Sequence, residues 1–361
     1  MKICFMLGGF YQNGGIGRVT SVLVNHLVDV EDMDITTLSY VQQNLPNLYE
    51  ISHKVHEEYF LTSYKNMTKV LLSGGIEKLR RFLEQKNIDI VIACGALFFP
   101  ICVEACKKIE TKCICWEHSN PEGNYDHKGQ NIARKYGIKR SDLNVVLTHS
   151  ALEVYKNKYN AQKTVQIYNP IDENVFRNAG TYDVESKKII SVGRLEYQKN
   201  FQKAIEVASI VLPKYPEWSW DIYGKGEQLD DLIKMTKEKS ISSQMHFFGQ
   251  VNDLYKRYKK YAIMVMTSRY EGFPMTLLEG SGNGLPLLSF DIPTGPNEII
   301  EDEKNGYLIK AFDVEDMAKK IENLICNQKL RNLMSQESKK RCQLFTEKEV
   351  ISQWVDILKR I

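Results

Sequence analysis

Residues 268–279 read Ser-Arg-Tyr-Glu-Gly-Phe-Pro-Met-Thr-Leu-Leu-Glu, and this stretch decides how the chain around it folds. An apolar run of strand length, residues 261–267, precedes it, and an apolar pattern with helical spacing follows it up to Gly282 or Gly284. Gly272, which has no Cβ, lets a ligand approach the backbone closely. The sequence therefore predicts a buried strand, a tight turn and a helix, in that order.

The start of this helix is a predicted anion site. Pro274 lies where proline is well tolerated, in the first turn of a helix. The N–H groups of a first turn have no partner within the helix, and the positive end of the helix dipole favours an anion beside them. Glu279, one turn further, can accept hydrogen bonds from both hydroxyls of a ribose, and Glu271 lies on the turn beside the anion. The N–H groups concerned are those of Met275, Thr276 and Leu277.

The spacing of Glu271 and Glu279, with Gly272-Phe273-Pro274 between them, resembles the Glu-x7-Glu motif of the retaining glycosyltransferases of family 4, which have the GT-B fold. In that family the first glutamate contacts the donor sugar, the second holds the nucleotide ribose, and the turn amides bind the diphosphate. The resemblance implies those roles for Glu271, for Glu279 and for the turn from Phe273 to Leu277. It also implies an α/β fold of two doubly wound, Rossmann-like domains that face each other across a cleft.

Size and composition fit two domains of ordinary composition. The chain has 361 residues, 43% of them hydrophobic and 26% charged, and its net charge is +3. So small a charge disfavours a dedicated nucleic-acid-binding protein. We expect residues 1–172 to form an N-terminal acceptor-binding domain and residues 185–345 a C-terminal domain that binds the nucleotide sugar. We expect the C-terminal helix, residues 346–361, to pack back on the first domain.

No segment indicates export from the cell or a membrane span. The eight cysteines include no Cys-x2-Cys pair, which favours buried thiols in a reducing compartment over a zinc site. The first apolar run is too short for a signal peptide, and no window reaches the length of a membrane-spanning helix. The sequence therefore predicts a cytoplasmic protein.

Residues 128–163 form a basic stretch, with eight cationic side chains and only two acidic ones. One interpretation is a solvated helix face, and the other is a peripheral contact with anionic lipid at the inner face of the plasma membrane. The acidic residues are Asp142 and Glu153, and the cations are Lys128, Arg134, Lys135, Lys139, Arg140, Lys156, Lys158 and Lys163.

A glycine loop joins the first predicted strand to the first predicted helix. Gly14, Gly15 and Gly17 lie there, at a position that suits a phosphate. The dinucleotide fingerprint is not met, because a third glycine is missing and the second strand, residues 35–40, ends without an acidic residue. The loop resembles the N-terminal Gly-Gly loop of family 4, which implies that it faces the donor phosphate and the acceptor. A nearby Asp-x-Asp, residues 32–34, falls on a turn and is not expected to bind metal.

His118 lies two residues after the end of a predicted strand, residues 113–116, in a sheet whose ligands bind beyond the carboxyl ends of the strands. The resemblance implies that a histidine here contacts the hydroxymethyl group of the donor sugar and the approaching acceptor. The alternative is a structural histidine that caps the following loop. Glu117 is either an acid or base, or a structural partner of that loop.

Two cations leave the end of a predicted strand in the second domain. Arg194 and Lys199 flank a helix start, and together with the turn amides they can offset the charge of a diphosphate leaving group without a metal. The segments Gly193-Arg194-Leu195 and Lys199-Asn200 match the family pattern, which implies a catalytic role for both cations; the alternative is a solvated turn. In relatives the loop after a later strand lies against the nucleotide base, which implies the backbone of Gly249, Gln250 and Val251.

The expected function is transfer of a hexose or N-acetylhexosamine from a UDP-sugar to a hydroxyl of a glycan or glycolipid, with retention. The implied setting is assembly of a surface polysaccharide, capsule or O-antigen, with neither cofactor nor metal. Retention of the anomeric configuration can proceed on the front face of the sugar or through a covalent intermediate. The sequence identifies no carboxylate as a nucleophile. A nucleotide-sugar epimerase of the same double fold is the alternative, with Glu117 and His118 as its acid and base. A binding protein without activity is disfavoured, since Glu271, Arg194, Lys199 and Glu279 occur together.

Overall fold

The computed structural model describes residues 1–11, 14–43, 45–121, 128–251 and 253–361, with the backbone alone for Lys128. The chain divides into two compact units: Met1–Pro170 with Glu347–Ile361, and Ile171–Thr346. Residues 173–184, which fall between the two predicted domains, belong to the second unit, and Glu173–Asn178 among them are helical.

The first unit is built on a parallel sheet of seven strands within the described residues, in the order β3-β2-β1-β4-β5-β6-β7. Its strands are β1 (Lys2–Leu7), β2 (Asp34–Val41), β3 (His56–Leu61), β4 (Ile90–Cys94), β5 (Lys112–Trp116), β6 (Leu143–Val146) and β7 (Thr164–Gln166). Its helices are α1 (Gly15–Leu27), α2 (Met67–Leu72), α3 (Gly75–Gln85), α4 (Phe99–Cys106), α5 (Lys128–Ile138), α6 (His149–Glu153) and, from the end of the chain, α14 (Glu347–Arg360).

The second unit repeats this plan with a parallel sheet of six strands in its described residues, in the order β10-β9-β8-β11-β12-β13. Its strands are β8 (Lys188–Val192), β9 (Ser219–Tyr223), β10 (Met245–Phe247), β11 (Ile263–Met266), β12 (Leu287–Asp291) and β13 (Gly306–Lys310). Its helices are α7 (Glu173–Asn178), α8 (Phe201–Val211), α9 (Leu229–Glu238), α10 (Met275–Gly282), α11 (Pro296–Ile299), α12 (Val314–Cys326) and α13 (Gln328–Arg341).

Both sheets are doubly wound, as the resemblance to family 4 implied. The central strands β4 and β11 are buried along their whole length, because helices cover both faces of a parallel sheet. In each sheet the chain runs outward on one side and returns to start the other side, between β1 and β4 in the first and between β8 and β11 in the second. Such switch points are where ligands of this fold class bind.

The last helix, α14, belongs to the first unit. Its Trp354 is fully buried and crosses the ring of Trp116 at a centroid distance of 4.8 Å, and Glu347 lies 2.5 Å from Nε2 of His26. Loss of a buried tryptophan costs about 3–5 kcal/mol, so this helix is an integral part of the first core. Ile351 and Ile357 of this helix are only half-buried. The buried apolar residues of the helix are Val350, Trp354 and Leu358.

The polar stretch of residues 42–69, which has no clear periodicity, contains the edge strand β3 and the start of α2. β3 begins with the exposed residues His56 and Glu57, and charged residues are common on edge strands, so its sequence shows no apolar alternation. No helix in the described part of the chain is long and apolar enough to cross a bilayer.

Candidate active site

Five loops of the second unit meet along the carboxyl edge of its sheet. Gly249 follows β10, Gly224 follows β9, and Gly193 follows β8, so three glycines stand in a row on neighbouring strands. Glu271 follows β11 and Gly295 follows β12 on the other side of the switch point. The predicted site residues of this unit are therefore gathered by the topology of one sheet.

An ion pair between Lys199 and Glu271 spans the switch point. The Lys199 ammonium lies 2.6 Å from Oε1 of Glu271, and the two side chains are only 14% and 8% exposed. The residues come from the loops after β8 and β11, strands that are neighbours in the sheet although 72 positions separate the pair in sequence. Sequence analysis assigned both residues to one site, and the structure brings them into direct contact.

Gln198 is a member of the site that the sequence did not reveal. Its side-chain amide donates to the carbonyl of Tyr270 at 3.1 Å and to Oε2 of Glu271 at 3.4 Å. Its carbonyl oxygen accepts a bond from Arg194 at 3.2 Å. Gln198 thus connects Arg194 to Glu271, although a glutamine next to a lysine gives no signal of such a contact in sequence.

Arg194 itself stands at the outer side of the site. Its guanidinium is 61% exposed and lies 3.0 Å from the carboxylate of Glu196. It contacts neither Glu271 nor Lys199 directly. The two predicted cations therefore differ, since Lys199 is enclosed and Arg194 faces solvent.

The turn that carries Glu271 is held by the loop after β12. The hydroxyl of Thr294 donates to the carbonyl of Glu271 at 2.5 Å. Gly295 has φ +103°, and a Cβ on it would lie 2.6 Å from Cδ of Pro274. This corner therefore requires glycine, both for its backbone conformation and for its closeness to the turn.

Helix α10 starts at Met275, and Pro274 is its N-cap, so the proline precedes the helix by one position and does not lie in its first turn as predicted. The helix ends at Gly282, one of the two expected positions. No side chain caps its start, so the first-turn N–H groups of Met275, Thr276 and Leu277 have no capping acceptor of that kind. The buried hydroxyl of Thr276 also has no hydrogen-bond partner within the described residues. Phe273 and Gly272 complete the turn, with the Phe273 ring buried against Phe345.

Glu279 lies inside the second unit, only 2% exposed. Its Oε2 accepts a hydrogen bond from the hydroxyl of Tyr258 at 2.7 Å. The contact of Glu279 with a ribose stays a prediction, and any such ribose has to share the carboxylate with Tyr258.

The three glycines in the row leave room for backbone and for Lys199. A Cβ on Gly193 would lie 3.0 Å from Cγ and Cδ of Lys199, so the lysine stem runs directly past this glycine. A Cβ on Gly224 would lie 1.8 Å from the carbonyl oxygen of Gly193. The backbone N–H of Gly224 donates to the carbonyl of Gly249 at 2.9 Å. Gly249 has φ +67°, which suits glycine, and Gln250 and Val251 continue from it. The contact of the Gly249, Gln250 and Val251 backbone with a nucleotide base stays a prediction.

The predicted glycines of the first unit lie at the start of α1. Gly14 is its N-cap and exchanges hydrogen bonds of 3.2 Å with the hydroxyl of Tyr49, and Gly15 is exposed. Gly17 is buried, and a Cβ on it would lie 3.3 Å from the carbonyl of Gly9. The helix begins where the sequence predicted it, after a loop whose residues 12 and 13 lie outside the described residues.

Glu117 is a structural residue. It is 2% exposed and accepts from Nε of Arg134 at 2.5 Å, from the hydroxyl of Tyr155 at 2.9 Å and from that of Ser119 at 2.7 Å. Burial would raise the pKa of its carboxyl, but Arg134 and Ser119 outweigh this effect and lower the pKa below its ordinary value. A carboxylate fixed in this way is unsuited to the acid–base role that the epimerase alternative requires.

His118 is the next residue after Glu117, and its ring centroid lies 4.2 Å from that of Trp116. Burial lowers the pKa of its imidazole to about 3, although the charge of Glu117 opposes the change. Its buried Nε2 has no hydrogen-bond partner among the described residues. A histidine with this pKa is neutral at physiological pH, so it is suited to hydrogen bonding and unsuited to donating a proton as a cation. Its contact with a sugar stays a prediction.

Arg134 also corrects the interpretation of the basic stretch, residues 128–163. This side chain is fully buried against Glu117 and contributes no surface charge. Arg140 stacks on Tyr136, with 3.8 Å between the guanidinium and the ring centroid. A count of charges in the sequence cannot separate a buried arginine from an exposed one, and membrane contact through this stretch is untested.

Two family models match successive parts of the chain. The model described as glycosyltransferase family 4 matches residues 13–175, and the model described as glycosyl transferases group 1 matches residues 172–341. Together they cover nearly the whole chain and meet where the first unit ends.

Relatives with similar sequences are glycosyltransferases by name. An uncharacterized glycosyltransferase of Haemophilus influenzae is 26% identical over 99% of both chains. The amylovoran biosynthesis glycosyltransferase AmsD of Erwinia amylovora is 24% identical, again over 99% of both. The poly(ribitol-phosphate) alpha-N-acetylglucosaminyltransferase of Staphylococcus aureus is 27% identical over 84% of this chain and 62% of its own length.

Solved structures share the architecture. The Staphylococcus aureus TarM variant, in a complex that contains UDP, superposes with a TM-score of 0.80 at 17% identity and covers 98% of this chain and 99% of its own. Anabaena HepE, solved with UDP, gives a TM-score of 0.82 at 15% identity over 100% of both chains. The two doubly wound units and the two successive family matches together support a glycosyltransferase of the family 4 type, with the α/β architecture of its GT-B structural neighbours.

Proposed function

We propose that this glycosyltransferase moves a hexose or N-acetylhexosamine from a UDP-sugar to a hydroxyl of a polysaccharide or lipid-linked glycan, with retention and without a metal. The Lys199–Glu271 ion pair carries the proposal. It is a largely buried cation and anion at the switch point of the second sheet, 2.6 Å apart, and it lies close in sequence to the first turn of α10, which no side chain caps.

Buried side chains at this position suit the departure of a diphosphate. When the bond from the anomeric carbon to the phosphate oxygen breaks, its electron pair leaves with UDP, and negative charge grows on the phosphate oxygens. The Lys199 ammonium and the N–H groups at the start of α10 are donors of the kind that stabilises such charge. Arg194, which is exposed and hydrogen-bonded to Gln198, adds a second cation beside this pair.

Retention is proposed to proceed on the front face of the sugar. The acceptor oxygen forms its bond to the anomeric carbon on the side that UDP leaves, and the acceptor proton passes to an oxygen of the departing phosphate. Glu271 is hydrogen-bonded to both Lys199 and Gln198, which suits a carboxylate that orients the sugar rather than one that attacks it. Glu279 is assigned to the ribose and the Gly249–Val251 backbone to the base.

The named relatives and neighbours support the class of donor and acceptor. UDP is present in the two neighbouring structures described above, and one relative is named for N-acetylglucosamine transfer to a polymer. Another is named for biosynthesis of amylovoran. These names apply to those proteins, and their extension to this chain is part of the proposal.

The test is a donor panel. The purified chain is incubated with UDP- and GDP-sugars in EDTA, with and without a bacterial lipid-linked glycan extract, and free nucleoside diphosphate is measured. We expect acceptor-dependent UDP release from one donor, lost in Glu271→Ala and in Lys199→Ala. A matched control is Lys214→Ala, which also removes a lysine from an ion pair, with Glu322, but three residues beyond the carboxyl end of α8.

Other results would replace the proposal. Isomerised donor without release of UDP indicates an epimerase. Release that requires a divalent metal contradicts the metal-free mechanism. Tight binding of a nucleotide sugar without turnover in any combination indicates a binding protein.

A further inference from the structure

Arg269 lies in the loop after β11, two positions before Glu271, and the reaction proposed above gives it no role. Its side chain is half-buried. Its contacts lie on residues 193–200, the loop after β8 that carries Lys199, here called the β8 loop.

Arg269 contacts the β8 loop through both its backbone and its side chain. Its backbone N–H donates to the carbonyl of Gln198 at 2.8 Å. Its Nε donates to the carbonyl of Tyr197 at 3.1 Å. Its guanidinium also lies over the ring of Tyr197, 4.2 Å from the ring centroid, at a distance typical of a cation–π contact. One side chain thus contacts the backbone and the ring of the same residue.

The segment that Arg269 contacts leads directly into Lys199. Leu195 before it is fully buried, but residues 196–198 are half-buried or exposed, and Tyr197 is 52% exposed. Segments with few buried side chains open locally at little cost in free energy. The side chain of Arg269 therefore restrains the part of the β8 loop that the core anchors least.

The chain around β11 also fixes the backbone at and beyond Lys199. The hydroxyl of Thr267 donates to the carbonyl of Asn200 at 3.1 Å and to that of Lys199 at 3.2 Å. The ammonium of Lys199 ends 2.6 Å from Glu271. Residues 267–271 therefore supply partners to Lys199 itself and to the backbone on both sides of it, with Arg269 on the preceding side.

We propose that Arg269 is a positioning residue for Lys199. Its side chain holds residues 196–198, so that the ammonium of Lys199 lies against Glu271 before the donor binds. Donors that are fixed in advance stabilise the charge of a leaving group without reorganising during the reaction. Arginine suits this task because its planar guanidinium stacks on an aromatic ring while its Nε–H donates. The inference rests on the function proposed above for the Lys199–Glu271 pair.

The first test is the kinetics of Arg269→Ala in the UDP-release assay. Misplacement of a reacting group by about 1 Å can cost about 10²-fold in rate, and the loss of one restraint is expected to move Lys199 by less than that, so kcat should fall about tenfold. KM for the donor should stay within about twofold, because Arg269 contacts the loop and not the ligand.

The second test separates positioning from a merely structural role. Arg269→Lys keeps a charge near Tyr197 but has no planar N–H donor, so its kcat should stay near that of Arg269→Ala. Added methylguanidinium supplies the missing planar donor and should raise the turnover of Arg269→Ala, but not that of Lys199→Ala. A side chain that serves stability alone gives no such rescue at a temperature at which the variant is folded.

Arg140→Ala is the matched control. Arg140 also stacks on a tyrosine, with 3.8 Å between its guanidinium and the ring centroid of Tyr136, and it donates to the carbonyl of that tyrosine at 3.0 Å. It belongs to the first unit and lies outside the β8 loop. Both variants should lower the unfolding temperature by about 2–4 °C, and only Arg269→Ala should lose turnover.

Amide hydrogen exchange distinguishes failure of this inference from failure of the proposed function. Exchange in residues 196–199 should be about tenfold faster in Arg269→Ala and unchanged in Arg140→Ala. If the wild type releases no UDP, the proposed function has failed, and the exchange rates alone decide whether Arg269 holds the loop. The inference is wrong if Arg269→Ala exchanges like the wild type or keeps its kcat. A rise in KM at unchanged kcat would assign Arg269 to donor binding instead.

Discussion

Replacing Gly193 with alanine tests whether the position of Lys199 governs the site. The added Cβ would lie 3.0 Å from Cγ and Cδ of Lys199 and 3.1 Å from its Cε. Carbon atoms pack best at about 3.5–4.0 Å, so three methylene groups have to retreat by about 0.5 Å or more. The ammonium at the end of this stem is fixed 2.6 Å from Glu271, and therefore the strain reaches the ion pair.

The expected loss is catalytic. Gly193 does not have a left-handed backbone, and the neighbour that must move is a side chain, so we expect the free energy of unfolding to change by less than about 1 kcal/mol. A misplacement of about 1 Å can cost 10²-fold in rate, so a shift of about half that size is expected to lower kcat about tenfold. KM should change less, because the ribose and base contacts proposed for Glu279 and residues 249–251 are untouched.

The assay is UDP release at saturating donor, with thermal unfolding measured on the same samples. Gly129→Ala is the matched control, since that glycine is exposed in α5 and a Cβ there meets open space. Wild-type turnover in Gly193→Ala would refute the idea that the lysine stem is held in place by this contact. A loss of more than about 3 kcal/mol in stability would show that the glycine serves the fold instead.

Three further predictions concern Arg134, Gln198 and His118. Arg134→Met leaves the carboxylate of Glu117 buried without its cation, and we expect it to cost about 3–5 kcal/mol in urea unfolding, much of which the second change Glu117→Leu should restore. Gln198→Ala is expected to lower kcat several-fold with little change in the unfolding temperature; equal losses in kcat and stability would argue against a positioning role. His118 has a pKa of about 3 when folded, against 6.5 for the free side chain, so the unfolded chain takes up the proton first as pH falls. Wild-type stability should therefore decline below about pH 6.5 more steeply than that of His118→Gln, and identical pH profiles would contradict the pKa assignment.

The order of strands and helices was predictable because buried parallel strands are short apolar runs with turn residues at their ends. The strand, turn and helix around residues 268–279 were identified in this way. Topology then explains why Lys199 meets Glu271, since β8 and β11 are neighbours at the switch point. The sequence placed each residue after a strand, and the resemblance to family 4 assigned both to one site; that the two strands are neighbours is a finding of the structure.

Contacts made by side chains without a pattern were not predictable. Gln198 acts through an amide that reaches across 73 positions, and nothing in its local sequence distinguishes it from a solvated glutamine. Arg134 was counted as a surface charge because its partner, Glu117, lies on a different element. The strand β3 was missed because its exposed charged residues give no apolar pattern, although its backbone pairs with β2.

The path of the chain through the two units has a consequence for how the protein is made. The second unit is an insertion, because the first unit consists of Met1–Pro170 and resumes only at Glu347. The two ends of the insertion are tied together, with Ile171 paired to Thr346 and its N–H donating to Phe345 at 2.7 Å. A growing polypeptide therefore has everything that the second unit needs before the first unit receives α14 and the side chain of Trp354. The part of the chain that emerges first from the ribosome is the part that is completed last, and a fragment of residues 171–346 is expected to fold by itself.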